Sequence, residues 1–117
     1  MERKPKPYDL EDRTYSFAQA IRAFVKTLPR TIGNIEDAKQ LIRASGSVAA
    51  NCIEANEALS KKDFAMRMKI CRKEAKESRL FLRLIEVTPD RLGTREELVG
   101  EAQELMLIFS SIVSKTR

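Results

Sequence analysis

Histidine and tryptophan are both absent from this sequence of 117 residues. Without histidine the chain lacks the usual general base at neutral pH and the commonest ligand of transition metals. A two-metal enzyme built in a helix bundle wants inward glutamates together with Glu-x-x-His motifs, so that reading has no footing. A glycine-rich phosphate loop, a nucleophile elbow and zinc-ligand spacing are missing too. The expectation is a protein that is not an enzyme, with no catalytic residue, no cofactor and no metal. Aromatic residues make up 6% of the chain and fall mostly at core spacing, which leaves little surface for stacking nucleobases.

Cysteine is scarce as well. Cys52 and Cys71 each sit among apolar residues at helical spacing. With neither a secretory signal nor a dense cysteine framework beside them, they read as small buried core residues rather than a disulfide, in a reducing, cytoplasmic setting. The opening MERKPKPYDL is charged and proline-punctuated, with no apolar h-region. No later run approaches the roughly 18 uninterrupted apolar residues of a membrane span. Neither export nor membrane insertion is expected.

What the chain does contain suits one ordered domain over residues 1–117: hydrophobic residues at 43%, charged residues at 33%, and only four glycines and four prolines. Four amphipathic segments follow one another. Asp9 is the expected cap of a first helix, about 9–28, with the stripe Leu10, Phe17, Ala18, Ile21, Phe24, Val25 and Leu28, closed by Pro29. Asn34 is the expected cap of a second, about 35–58, whose stripe of Ala38, Leu41, Ile42, Ser45, Ala49, Cys52 and Asn56 is dominated by small residues. Gly46 in that helix costs about 1 kcal/mol relative to alanine unless a close neighbour repays it. Ser60 with Asp63 resembles a capping box opening a third helix, about 61–87, with the core face Phe64, Met68, Cys71, Ala75, Ser78, Leu82 and Ile85. Thr88, Pro89 and Gly93 break the chain, and Thr94 with Glu97 predicts the start of a fourth helix, about 95–115. Strand-period alternation is nowhere sustained. The pattern predicts an all-α, up-down-up-down antiparallel four-helix bundle preceded by a basic arm, 1–7.

Positive charge is concentrated in one place. Lys61 to Arg83 holds nine basic and three acidic residues, a net +6, while the rest of the chain nets −1. At 100° per residue Lys69, Arg72, Lys73, Lys76, Arg79 and Arg83 spread over the arc opposite the core face of the third helix. Glu74 and Glu77 lie off to the side, so most of these cations lack an acid at the favourable spacing, and like charges four residues apart repel. A solvated, idle helix face is the bland alternative. A phosphodiester backbone is the ligand that best explains the pattern, since Lys and Arg displace its counterions and arginine forks match phosphate oxygens. The candidate nucleic-acid-binding residues are therefore Lys69, Arg72, Lys73, Lys76, Arg79 and Arg83, with Arg3, Lys4 and Lys6 of the arm as possible additions. Recognition through backbone or shape is expected, because aromatic platforms are lacking.

The third helix also carries Met66, Ile70, Phe81 and Leu84 beside its core stripe, and the second groups Ser47, Asn51 and Glu54 on one side. A fourth helix could cover the first set and water the second. A subunit interface is the reading favoured here, since an exposed apolar patch is a liability in a monomer and an oligomer would multiply the ridge.

The segments DLEDRTYSFA and QLIRASGSVAANCIEANEALSKKDFAMRMKICRKEAKESRLFLRLI resemble the four-helix-bundle proteins encoded in 23S rRNA intervening sequences, over about Asp9 to Ser114. That family includes the accessory variability determinant of diversity-generating retroelements. The pattern Ser47, Asn51, Glu54, then Ser60, Asp63, Phe64, then Lys73, Glu74, Ala75, Glu77 carries the likeness most specifically. Cys52 and the pair Leu80-Phe81 depart from the common pattern at packing positions. The resemblance implies a homopentamer with a basic surface, nucleic acid (RNA or DNA) as ligand and, in the retroelement branch, a reverse transcriptase as partner, with no membrane role. A structural or adaptor oligomer that meets an acidic protein surface, encoded in an rRNA intervening sequence, is the alternative.

Overall fold

The computed structural model describes residues 7–116, so the basic arm with Arg3, Lys4 and Lys6 lies outside the described residues. Four long helices follow in order: α1 (Pro7–Val25), α2 (Ile32–Asn56), α3 (Lys61–Leu84) and α4 (Leu92–Lys115), the last entered through a 3-10 turn, Pro89–Arg91. No strand occurs among the described residues.

Local chemistry explains where each helix starts, and three starts differ from the sequence reading. In α1 the helix already runs from Pro7, which needs no N–H partner at a first helical position, and Asp9 falls inside the first turn, where a carboxylate favours the positive helix end. In α2 the cap is Thr31, whose hydroxyl accepts from the Asn34 N–H at 3.1 Å. Asn34 is instead a buried residue of the first turn. Its amide donates to the carbonyls of Pro29 (3.0 Å) and Glu86 (2.8 Å) and accepts from the Glu86 N–H (3.0 Å), tying the α1–α2 connection to the end of α3. In α4, Thr94 lies within the helix rather than at its start, because the turn set by Pro89 feeds helical geometry in from Leu92. The start of α3 follows expectation: Ser60 caps, accepting from the Asp63 N–H at 3.0 Å.

Cross-helix contacts establish antiparallel neighbours. Arg43 meets Glu77 and Asn51 meets Arg67, so residue numbers rise in α2 as they fall in α3. Arg79 with Gln103 and the Ile85 carbonyl with Arg95 relate α3 and α4 in the same way. Glu11 with Asn56, and Arg22 with Gly46, do so for α1 and α2. The bundle closes through Arg13 of α1, whose guanidinium forks onto Glu101 of α4 with two bonds of 2.8 Å.

The core runs through Phe17, Ile21 and Phe24 of α1, Leu41 and Val48 of α2, Met68 and Leu82 of α3, and Leu105 and Phe109 of α4. The buried face of α2 includes Ala44, Val48 and Ala55, while Ile42, Ala49 and Asn56 are only half-buried, so this face is turned slightly from the one read in the sequence. Small side chains there let α3 approach closely. Gly46 has a neighbour of a different kind from the expected backbone: a Cβ would stand 3.3 Å from the Arg22 guanidinium, which is held by the Ala18 carbonyl. Both cysteines are free and buried. No helix among the described residues is long and apolar enough to cross a membrane.

Candidate nucleic-acid interface

Because α3 packs between α2 and α4, its remaining surface is one long outward face. Lys69, Lys73, Lys76 and Arg83 are exposed on it, and Arg72 and Arg79 are half-buried along its α4 edge. Lys62, Lys69, Lys76 and Arg83 recur every seven residues and so form a nearly straight row, about 31 Å long at the helical rise. Arg79 donates to the neutral side chain of Gln103. Among the described residues, none of the six candidate cations lies within 4.0 Å of a carboxylate oxygen.

The reason lies on the opposite edge of the helix. Arg43 of α2 takes both nearby acids, with Nη1 3.1 Å from Glu74 Oε2 and Nη2 2.6 Å from Glu77 Oε2. Glu74 is a buried carboxylate. Burial pushes its carboxyl up, but hydrogen bonding with Ser47, Glu77 and Arg43 outweighs this and holds it below the usual carboxylate range. Its Oε1 makes no further bond of good geometry. The Arg43 guanidinium is pushed up by its bonds to Glu74 and Glu77.

The expected interface residues divide into two groups. Ser47 and Asn51 are half-buried in the α2–α3 seam, where the Asn51 amide donates to the Ser47 carbonyl (2.9 Å) and hydroxyl (3.1 Å) and accepts from Arg67 (3.1 Å). Their hydrogen bonds are therefore spent within the protomer, while Glu54 points to solvent. On α3, Met66 and Leu84 are 49% and 55% exposed and Ile70 is half-buried. Phe81 packs against the core instead, and its neighbour Leu80, 48% exposed, takes the outward place. Met66, Leu80 and Leu84 thus form a broken apolar strip beside the lysines.

Sequence reasoning missed Arg43 and Leu80. Arg43 could have been found from the two acids of α3, which had to face some cation on α2 if the helices run antiparallel. Leu80 and Phe81 are adjacent apolar residues, and only the packing decides which turns inward. An open groove lined by Lys61, Lys62, Met66 and Lys69 of α3 and Val113 of α4 extends the basic surface toward the start of α3. A smaller one at the other end is lined by Lys73, Lys76, Arg79, Leu80 and Arg83, with Glu77 at its edge. Among the described residues no group of three or more cysteines or acids is placed to hold a metal ion.

A crystal structure of a protein of unknown function from Bacteroides thetaiotaomicron VPI-5482, described as belonging to the S23 ribosomal protein family, is similar to this chain. The two share 26% identity with a TM-score of 0.79, over 94% of this chain and 99% of that one. No curated protein sequence matches. The model of the 23S rRNA-intervening sequence proteins matches residues 8–105, which span α1 except its first residue, all of α2 and α3, and more than half of α4. The chain belongs to the 23S rRNA-intervening sequence protein family.

Proposed function

We propose that this is a non-enzymatic, oligomeric nucleic-acid-binding protein that grips RNA or DNA phosphates through the outer face of α3. One observation carries the reading: six cations share that face and, among the described residues, none has an acidic partner, Arg43 having taken Glu74 and Glu77. A phosphate backbone supplies anions at intervals and gains the entropy of counterion release. In its sharper form the protein is a homopentamer that acts as a retroelement accessory factor and associates with a reverse transcriptase. A ring of protomers would turn several weak phosphate sites into one strong one.

The test is a salt titration of binding to generic RNA and DNA duplexes. Affinity should fall steeply with salt, and a Lys76→Ala/Arg83→Ala double variant should reduce the logarithmic slope by about 2 on DNA. Absence of binding at low salt removes the proposal. The strip of Met66, Leu80 and Leu84 beside the lysines favours a second reading, an adaptor that meets an acidic, partly apolar protein surface. In that case Leu84→Ser weakens partner binding as much as loss of a lysine does, whereas binding to phosphates is indifferent to it.

A further inference from the structure

Cys52 and Cys71 are the only cysteines of the chain, and both are fully buried as free thiols, one in the last turns of α2 and the other near the middle of α3. Cys71 Sγ lies 3.7 Å from the Val48 carbonyl oxygen. In an α-helix that carbonyl accepts the N–H four residues on, here that of Cys52, so the Cys71 sulfur rests against the turn from which the Cys52 side chain leaves. Each thiol is the chief influence on the proton affinity of the other, and Thr14 of α1, whose hydroxyl donates to the Leu10 carbonyl at 2.7 Å, acts on Cys52 as well. Thr14 is itself fully buried, so α1 is the cover over the pair.

That cover puts Phe17, Ile21 and Phe24 into the core but is fastened mainly along one neighbouring helix. Among the described residues α1 packs along α2, makes no close backbone approach to α3, and has its sparsest contact with α4, bridged by Arg13 to Glu101 and Glu104. Elements with little packing open locally at lower free energy than the whole fold.

We propose that Cys52 and Cys71 form a redox-active dithiol that closes to an intramolecular disulfide, stapling α2 to α3, when α1 lifts and a small disulfide oxidant such as oxidised glutathione gains access. The influence of Cys71 favours thiolate at Cys52, while that of Cys52, together with burial, pushes the Cys71 thiol up, which makes Cys52 the first nucleophile. Its thiolate attacks one oxidant sulfur, forming a mixed disulfide and releasing one glutathione thiolate. The Cys71 thiolate then attacks the Cys52 sulfur and releases the second glutathione. Two electrons pass from the cysteines to the oxidant, and the two protons they lose end on the two glutathione thiols.

The experiment incubates the full chain, folded and in urea, with excess oxidised glutathione and follows thiol count and intact mass. In the folded protein both thiols should disappear together, with a final mass lower by two hydrogen atoms and no cross-linked dimer on a non-reducing gel. Cys71→Ser should instead stop at a glutathione adduct on Cys52. Arg13→Ala, which unfastens α1 from α4, should speed the reaction several-fold while a buffer without oxidant leaves both thiols intact. Thiols that survive in the folded chain under conditions that oxidise it in urea would overturn the proposal. So would persistent adducts on both cysteines, or a disulfide between chains. An Arg13→Ala rate equal to the parent's would remove α1 as the gate.

Discussion

The two flanks of α3 are both rich in charged groups and differ in whether those groups find partners. On the α2 flank, Glu74 and Glu77 meet Arg43, Arg67 meets Asn51, and the polar groups close on one another. On the outer flank, lysines and arginines stand in a row that, among the described residues, pairs with no carboxylate; Glu77 borders it but is held by Arg43. The contrast shows how a bundle can create an electropositive surface without an unusual number of cations: one arginine from the next helix removes the acids that would have neutralised it. Net charge alone, +5 over the chain, says nothing of this.

The comparison can be broken at the seam first. Arg43→Ala leaves the buried Glu74 carboxylate without its cation and should destabilise the fold by about 1–3 kcal/mol, the lower half being favoured because Arg43 itself is half in solvent. The midpoint of urea unfolding measures it, and no loss would mean that Glu74 is held by Ser47 alone. Next comes Ser60→Ala, which removes the cap of the helix that carries both flanks and should cost about 1 kcal/mol. Thermal unfolding reports this loss, and phosphate binding should weaken only as far as the helix end frays.

Acidification sharpens the same contrast. The Glu74 carboxyl is held below its ordinary value of 4.5 in the folded state, so its contribution is complete above that pH and drains away as pH falls through the folded-state value. Glu74→Gln should flatten this part of the acid limb of a stability–pH curve, and a limb unchanged by that substitution would place the titrating group elsewhere. Smallest of all is the effect on stability of Lys76→Ala/Arg83→Ala, which should stay within about 0.5 kcal/mol because neither side chain has a partner to lose. A larger loss would show that the outer row holds the fold together.

Much of this arrangement was legible beforehand, and the misses share a cause. The four helices, the core residues at helical spacing and the outward row of cations all follow from periodicity, a property of single helices. Helix starts at Asp9, Asn34 and Thr94 were misplaced because several residues in each turn have capping chemistry, and the choice among them falls to tertiary partners. Asn34 shows this most clearly: the Glu86 backbone, fifty-two residues away, gives it a better use than capping. Ser47 and Asn51 were assigned outward roles because the seam that absorbs them involves two helices at once. Phe81, expected in the outward apolar set, packs against the core for the same reason, and Leu80 is the exposed neighbour.

The buried Asn34 amide stitches three stretches of backbone at one end of the bundle, whereas at the other end Leu59, in the short link between α2 and α3, is 99% exposed. The molecule therefore has a knotted pole and a loose one. Fluorophores or small affinity handles belong at the loose pole, where lengthening the link leaves the Asn34 amide undisturbed, although a whole inserted domain there would crowd Lys61 and Lys62 at the start of the cationic row.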